Sequence, residues 1–201
     1  AMDRTGYANL CRLLTLGRLR SPKGESRVAL QEACEQAEGL IALWGGEGSL
    51  IAGEADPGAV AGLLKEAFGD RLYALIGRHH RAEEREEEAR TVLRAGRYGL
   101  PLIACPELLY HRTSRRPLQD VLTCIRHGIP LAQAGRRIKP NDAYGLLTPA
   151  AFQARYQGLF GAVARTREVA GRCTFSLDEL RYRYPSEELP RGCTSAQWLR
   201  E

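Results

Sequence analysis

Histidine and glutamate residues follow two apolar segments of the chain, where together they could hold a divalent metal. His79 follows the segment RLYALIGR, and Glu107 and His111 follow LPLIACP. Imidazole nitrogens and carboxylate oxygens are ligands of zinc and of other borderline or hard divalent ions. Such a combination also arises by chance, and the glutamate-rich sequence beyond His79 is equally typical of an exposed helix. The residues alone leave two interpretations open, a metal site and ordinary surface side chains.

The elements around these residues follow an α/β pattern. Apolar segments near 39–44, 71–78 and 100–106 are typical of buried strands, and amphipathic segments between them are typical of helices. Parallel sheets have this alternation because crossover helices cover both faces of the strands. We therefore predict that the three strands are parallel neighbours with helices outside them. The carboxyl ends of such strands carry active groups, and His79 and Glu107 follow two of these ends.

Helical spacing of apolar residues and helix-end signals predict the remaining elements. The pattern after residue 106 is mainly helical, and it finishes with a strand-like alternation of Leu180, Tyr182 and Tyr184. The first predicted helix is GYANLCRLLTLGRL, with Leu10, Leu13 and Leu14 on one face, and the second is SRVALQEACEQAE, with Ser26 as a cap. The next three are DPGAVAGLLKEAF, AEEREEEARTVLRA and PLQDVLTCIRHG, the last with Gly128 beyond its end. The segment from Thr148 to Cys173 is predicted to form two helices, divided near Gly158 and Gly161.

The positive charge of the chain is concentrated in one segment. The whole chain has 29 Lys and Arg against 24 Asp and Glu, whereas residues 112–183 have 13 basic and 5 acidic residues. Because arginine makes bidentate contacts with phosphate, this segment is predicted to bind nucleic acid. The alternative is a solvated arginine-rich surface. The candidate nucleic-acid-binding residues flank one predicted helix and are Arg112, Arg115, Arg116, Arg136, Arg137 and Lys139.

Several function classes find no support in the sequence. The six cysteines are scattered without a Cys-x-x-Cys pair, which argues against a cysteine zinc site and favours free thiols. No run approaches the ~18 apolar residues of a transmembrane helix, and no charged-then-apolar leader occurs, so we expect no membrane association and a cytoplasmic location. GGEG at 45–48 lacks the lysine of a phosphate-binding P-loop, and no Gly-x-Ser-x-Gly motif occurs.

Three segments of the sequence are distinctive and occur in a fixed order. They are GYANLCRLLTLGR at 6–18, RRPLQDVLTCIRHG at 115–128 and RCTFSLDELRYRYPSEELPRGCT at 172–194. Together they resemble the bacterial C-family DNA polymerases, and most closely the error-prone, translesion, alpha-subunit-like branch. The resemblance implies that residues 3–111 are the later part of a PHP (polymerase and histidinol phosphatase) domain, a partial (β/α) barrel. Residues 112–201 would then be a helical, basic extension leading toward the polymerase palm.

The resemblance also places the ligand positions of a metal-bearing PHP domain. The family has Asp-x-His at the end of a late strand, and here Glu107 takes the place of the aspartate while Leu109 stands where the histidine is expected. On an earlier strand Leu75 stands at a glutamate position, and His79 matches a histidine. The resemblance thus implies that His79, Glu107 and His111 are relics of a metal site. We expect neither a bound metal nor a catalytic residue in this chain.

The implied function is a non-catalytic module with structural and interaction roles in a DNA-directed DNA polymerase that performs translesion synthesis. Magnesium is the implied cofactor of the full-length polymerase, and the implied partners are DNA, the other polymerase domains and translesion accessory proteins. Two alternatives belong to other classes. One is a metal-dependent phosphoesterase that uses His79, Glu107 and His111 together with ligands from outside this chain. The other is an independent nucleic-acid-binding protein that uses the basic segment.

Overall fold

The computed structural model describes residues 1–181, 189 and 194–200. Its centre is a three-stranded parallel sheet formed, in spatial order, by β1 (Ala42–Gly45), β2 (Leu72–Ile76) and β3 (Leu102–Ala104). The predicted parallel arrangement of three neighbouring strands is confirmed, although each strand is shorter than its apolar segment. The fold of the described residues is mixed α/β with an open sheet, and the barrel of a PHP domain stays a prediction.

Helices occupy the segments whose apolar residues have helical spacing. The helices of the described residues are α1 (Arg4–Leu19), α2 (Leu30–Glu35), α3 (Gly58–Phe68), α4 (Glu84–Tyr98), α5 (Arg116–His127), α6 (Pro149–Arg155), α7 (Phe160–Arg172) and the short α8 (Ser195–Trp198). None of them is long and apolar enough to cross a membrane.

The larger core cluster forms where α3 and α4 pack against the sheet. Four of the five residues of β2 are buried, as expected for a central strand that is covered on both faces. Leu64 and Phe68 of α3 and Ala95 of α4 are buried in one cluster with Leu72. The helical periodicity of these segments therefore predicts correctly which elements cover the strands.

A second core cluster joins the basic C-terminal half of the chain to the same sheet. Ile76 and Ala104, at the ends of β2 and β3, are buried with Tyr156 and Ala162 from the α6–α7 region. Tyr73 of β2 donates a hydrogen bond of 2.5 Å to Glu168 of α7. Residues beyond 111 are therefore part of the packing around β2 and β3.

Only one of the three predicted leucines of α1 contacts the core. Leu13 is half-buried and packs against the larger core cluster. Gly6 and Asn9 are buried, whereas Leu10 and Leu14 are exposed. The backbone of Gly6 approaches Gly39 so closely that a Cβ atom on Gly6 would overlap the Gly39 carbonyl. The leucine spacing therefore predicts the helix and one residue of its contact face, Leu13. It does not predict the contact at Gly6, where the close backbone approach requires a residue without a side chain.

The helix-end signals have mixed outcomes. The predicted cap at Ser26 is wrong, because α2 begins after Ala29, whose N–H donates to the Glu32 carboxylate at 2.8 Å. The cap at Thr148 is confirmed by a hydrogen bond from the backbone of the first turn of α6. Gly128 is confirmed as the left-handed residue that ends α5, with φ of 61°.

The break between α6 and α7 lies near only one of the two predicted glycines. Gly158 lies in the connection with φ of 87°, whereas Gly161 lies inside α7. The strand-like alternation at Leu180, Tyr182 and Tyr184 receives no support at its start, because a 3₁₀ turn spans Leu177–Glu179. Tyr182 and Tyr184 lie outside the described residues.

Candidate functional site at the strand ends

The segments that follow the three strands line one cavity of about 190 Å³. Glu47 follows β1, His79 follows β2, and Cys105 and Glu107 follow β3; α4 and Tyr144 complete the wall. Burial raises the pKa of the Cys105 thiol, which therefore stays protonated and is a weak nucleophile at neutral pH. His79 and Glu107 thus lie at one edge of the sheet, as the parallel order of the strands requires.

His79 is buried, and both of its ring nitrogens have partners within the protein. The Nε2 atom accepts a hydrogen bond of 2.9 Å from the backbone N–H of Glu107, and Nδ1 lies 3.2 Å from a carboxylate oxygen of Glu84. Nε2 also lies 3.3 Å from the Glu107 carbonyl, and we assign the proton to Nδ1 because the contact of Nε2 with the Glu107 N–H is the shorter one. The ring also stacks on Tyr144 at 4.4 Å, and Asn141 donates to the His79 carbonyl at 2.6 Å. The lone pair that would bind a metal is used by the Glu107 amide.

Lys139 connects the loops that follow the two outer strands. Its ammonium lies 2.9 Å from Glu107 Oε2 and 3.0 Å from Glu47 Oε2. The hydrogen bond from Lys139 lowers the pKa of Glu47. Burial disfavours the charged ammonium, but hydrogen bonds to Glu107 and Glu47 outweigh that effect and raise the pKa of Lys139. The Glu47 carboxylate and the Lys139 ammonium therefore stabilise each other in their ionised forms.

Arginines neutralise the acidic residues of α4 that face the cavity. Arg81 lies 2.6 Å from Glu87 and 3.5 Å from Glu84. Arg78 makes a bidentate pair with Glu88 at 2.6 and 2.7 Å, and this pairing raises the pKa of Arg78. Together with the Lys139 contacts, these pairs give every carboxylate of the cavity wall a cationic or imidazole partner.

The other predicted ligand position does not reach this cavity. β3 ends at Ala104, so residues 107, 109 and 111 do not continue as a strand with side chains on one face. His111 is exposed and does not line the cavity. Within residues 1–181, 189 and 194–200, no group of three or more His, Cys, Asp or Glu side chains is arranged to hold a metal ion. The absence of a bound metal stays a prediction.

Comparison with known proteins gives matches along the whole chain, although no family model matches. The chain is 36% identical over 199 residues to the error-prone DNA polymerase of Pseudomonas fluorescens Pf-5, and 36% identical over 200 residues to that of Pseudomonas aeruginosa PAO1. It is 36% identical over 201 residues to error-prone DNA polymerase 1 of Agrobacterium fabrum C58. These matches cover 98%, 100% and 98% of the chain.

The chain is homologous to one segment of the error-prone DNA polymerases. The resemblance identified in the sequence is confirmed. The chain spans only 18% of the length of each of these three relatives.

Four of the six candidate phosphate-binding side chains are available for a ligand. Arg112, Arg115, Arg136 and Arg137 are exposed, and their side chains form no hydrogen bond or ion pair with the described residues. The other two candidates are held within the fold. Arg116 donates to the Lys139 carbonyl at 3.0 Å and lies 3.6 Å from Asp120, and the Lys139 ammonium is ion-paired as described above. Whether any of the six contacts nucleic acid stays a prediction.

Sequence reasoning missed several residues of the cavity wall. Glu47 belongs to the GGEG loop, which resembles no known phosphate loop, and Arg81 and Glu84 belong to a charged segment that is typical of a surface helix. Lys139 is separated from Glu47 by 92 positions. Because loops after neighbouring parallel strands lie at the same edge of the sheet, the strand order could have placed Glu47 in the cavity wall. No local sequence pattern indicates its contact with Lys139.

Proposed function

We propose that this chain is a non-catalytic, PHP-type segment of an error-prone DNA polymerase, with structural and interaction roles. The observation that carries the proposal is the cavity at the strand ends, where ion pairs and backbone hydrogen bonds already use the side chains that could bind a metal. Leu75 and Leu109, which have no lone pair to donate, stand at two positions where the resemblance implies ligands. These observations argue against phosphoester hydrolysis at this edge.

The proposal includes a division of the chain and a role for the whole protein. Residues 3–111 would be the later part of the PHP domain, and residues 112–201 would lead toward the palm. The relatives are named error-prone DNA polymerases, which supports a full-length protein that synthesises DNA. Its use of magnesium and its copying of damaged templates are proposals that follow from the resemblance. DNA, the other polymerase domains and translesion accessory proteins would be its partners.

The purified chain should contain no stoichiometric zinc, manganese or iron, and should hydrolyse neither a phosphomonoester nor a phosphodiester. The physical reason is that a metal would have to displace the Lys139 ammonium and the Glu107 amide from the donors that they now occupy. Elemental analysis of the chain and a p-nitrophenyl phosphate assay in Mn²⁺ test this expectation.

A Glu107→Ala variant is the matched control for the metal measurement. One or more zinc or manganese ions per chain that disappear in Glu107→Ala would contradict the proposal. That result would favour the alternative of a metal-dependent phosphoesterase centred on His79 and Glu107.

The interaction role has support from an apolar face of α5. Leu118, Val121, Leu122 and Ile125 follow helical spacing, and each is at least 44% exposed. A helix with such a face normally packs against another element. Since the relatives are several times longer than this chain, we propose that a further domain of the polymerase covers this face of α5.

Replacing both Leu122 and Ile125 with Ser should change the free energy of unfolding of the isolated chain by less than about 0.5 kcal/mol, because both side chains are exposed. In a longer polymerase polypeptide that includes this chain, the same pair should destabilise the protein by about 2 kcal/mol through lost apolar burial. Urea titration of both proteins measures the difference. Equal effects in the two proteins would contradict the proposed interdomain contact.

A further inference from the structure

Lys139 is the structural link between the carboxylates of the two outer strand loops. Glu107 lies beyond β3 and Glu47 beyond β1, and β2 lies between these strands. Two carboxylates brought to one cation would repel each other if that cation were removed. Among the described residues, Glu107 has an ion pair only with Lys139, and Glu47 has one further cation, Arg81, at the longer distance of 3.9 Å.

The position of Lys139 is fixed by contacts other than these two ion pairs. Its carbonyl accepts a hydrogen bond of 3.0 Å from Arg116. Its ammonium lies 5.0 Å from the centroid of the buried Tyr144 ring, which is a cation–π distance. Lysine carries a compact point charge with three donors, which suits a position between two carboxylates. The backbone and the ring therefore hold the ammonium where the carboxylates meet.

We propose that the Lys139 ammonium is the cation that joins the loops after β1 and β3, the structural role that a divalent metal would otherwise have at this edge of the sheet. The proposal deepens the proposed non-catalytic function, on which it rests. The proposal predicts a result that would not be expected if the site had only lost its metal-binding side chains. When Lys139 is replaced by an uncharged side chain, the carboxylates of Glu47 and Glu107 should become a site for a hard divalent cation. Oxygen-binding ions such as Mn²⁺ and Mg²⁺ fit this pair, whereas the Nε2 lone pair of His79 stays with the Glu107 amide.

The test is a Lys139→Met variant whose melting temperature is measured against MnCl₂ and MgCl₂, with NaCl series matched for ionic strength. The parent chain should show no response to Mn²⁺ beyond the NaCl series. Lys139→Met should melt at a lower temperature, and Mn²⁺ should raise that temperature with saturation at an apparent Kd of about 10⁻⁴–10⁻³ M, the range of weak carboxylate sites. Lys139→Met combined with Glu107→Gln should lose the response.

Two further variants keep the result interpretable if Lys139→Met folds poorly. Lys65→Met removes another lysine, whose ammonium binds the Tyr98 carbonyl, and should show no response to Mn²⁺. The triple variant Lys139→Met, Glu47→Gln, Glu107→Gln removes all three charges together and should melt close to the parent chain. If the triple variant folds while Lys139→Met stays unfolded in Mn²⁺, the proposal is overturned.

The outcomes separate this inference from the proposed function. Stoichiometric Mn²⁺ in the parent chain would contradict the proposed non-catalytic function and the role of Lys139 together. A metal-free parent chain with no Mn²⁺ response in Lys139→Met would overturn only the role of Lys139. A saturable response in Lys139→Met that Glu107→Gln abolishes would support the inference.

Discussion

An Arg94→Met variant should lose about 3 kcal/mol of unfolding free energy relative to the parent chain. Arg94 lies in α4 and is buried, and its guanidinium donates to five backbone carbonyls. The acceptors are the carbonyls of Leu50 at 3.2 Å, Ile51 at 2.9 Å, Gly53 at 2.7 Å, Glu54 at 3.0 Å and Ala55 at 2.8 Å. Leaving a buried acceptor unpaired costs about 1–3 kcal/mol, and water can replace only part of this set.

Arg97→Met is the matched control, because it removes the same side chain from the same helix three positions later. Arg97 is exposed and pairs with Asp56 at 3.1 Å, an interaction worth about 0–1 kcal/mol. Urea unfolding of both variants measures the difference. Equal destabilisation by Arg94→Met and Arg97→Met would show that the carbonyl contacts of Arg94 contribute little to stability.

The role of Arg94 illustrates what the sequence does not reveal about this fold. The segment AEEREEEARTVLRA predicts a helix correctly, and Glu86 and Arg90, four positions apart on it, form an ion pair at 3.6 Å. The same charged pattern predicts an exposed helix, yet Thr91 and Arg94 are buried. Arg94 is buried here because the loop after β1 presents carbonyls to it, and four of the five accept no other hydrogen bond within the described residues. The periodicity of the helix sequence does not indicate where such a loop lies.

The order of the strands and the positions of two site residues could be predicted from the sequence. Parallel order follows from apolar strands that alternate with helices, so the shared edge of His79 and Glu107 is a consequence of topology. The partners of these two residues are set by contacts between distant segments. Lys139 shows this most clearly, because its charge suggests a phosphate contact in the sequence while its ammonium is ion-paired in the structure.

Replacing Arg112, Arg115, Arg136 and Arg137 with Ser should weaken DNA binding and reduce its dependence on salt. These four side chains flank α5, are exposed and have no partner in the described part of the chain. Each phosphate contact with duplex DNA contributes about 0.9 to the slope of log affinity against log salt, so the slope should fall by about 3.6 if all four contact phosphate. Between 50 and 200 mM salt, the parent chain should then lose about 150-fold more affinity than the variant.

The control removes the same charge from outside the basic segment 112–183 by replacing Arg4, Arg12, Lys23 and Arg85 with Ser, each of which is exposed. Affinity and slope are measured by fluorescence anisotropy with two duplexes of unrelated sequence, and circular dichroism verifies that both variants are folded. Binding should differ little between the duplexes, because phosphate contacts position a protein without reading bases. A slope that falls equally in both variants would indicate a general charge effect. An unchanged affinity and slope in the first variant would reject the DNA role, and these arginines would then be expected to contact neighbouring domains of the polymerase.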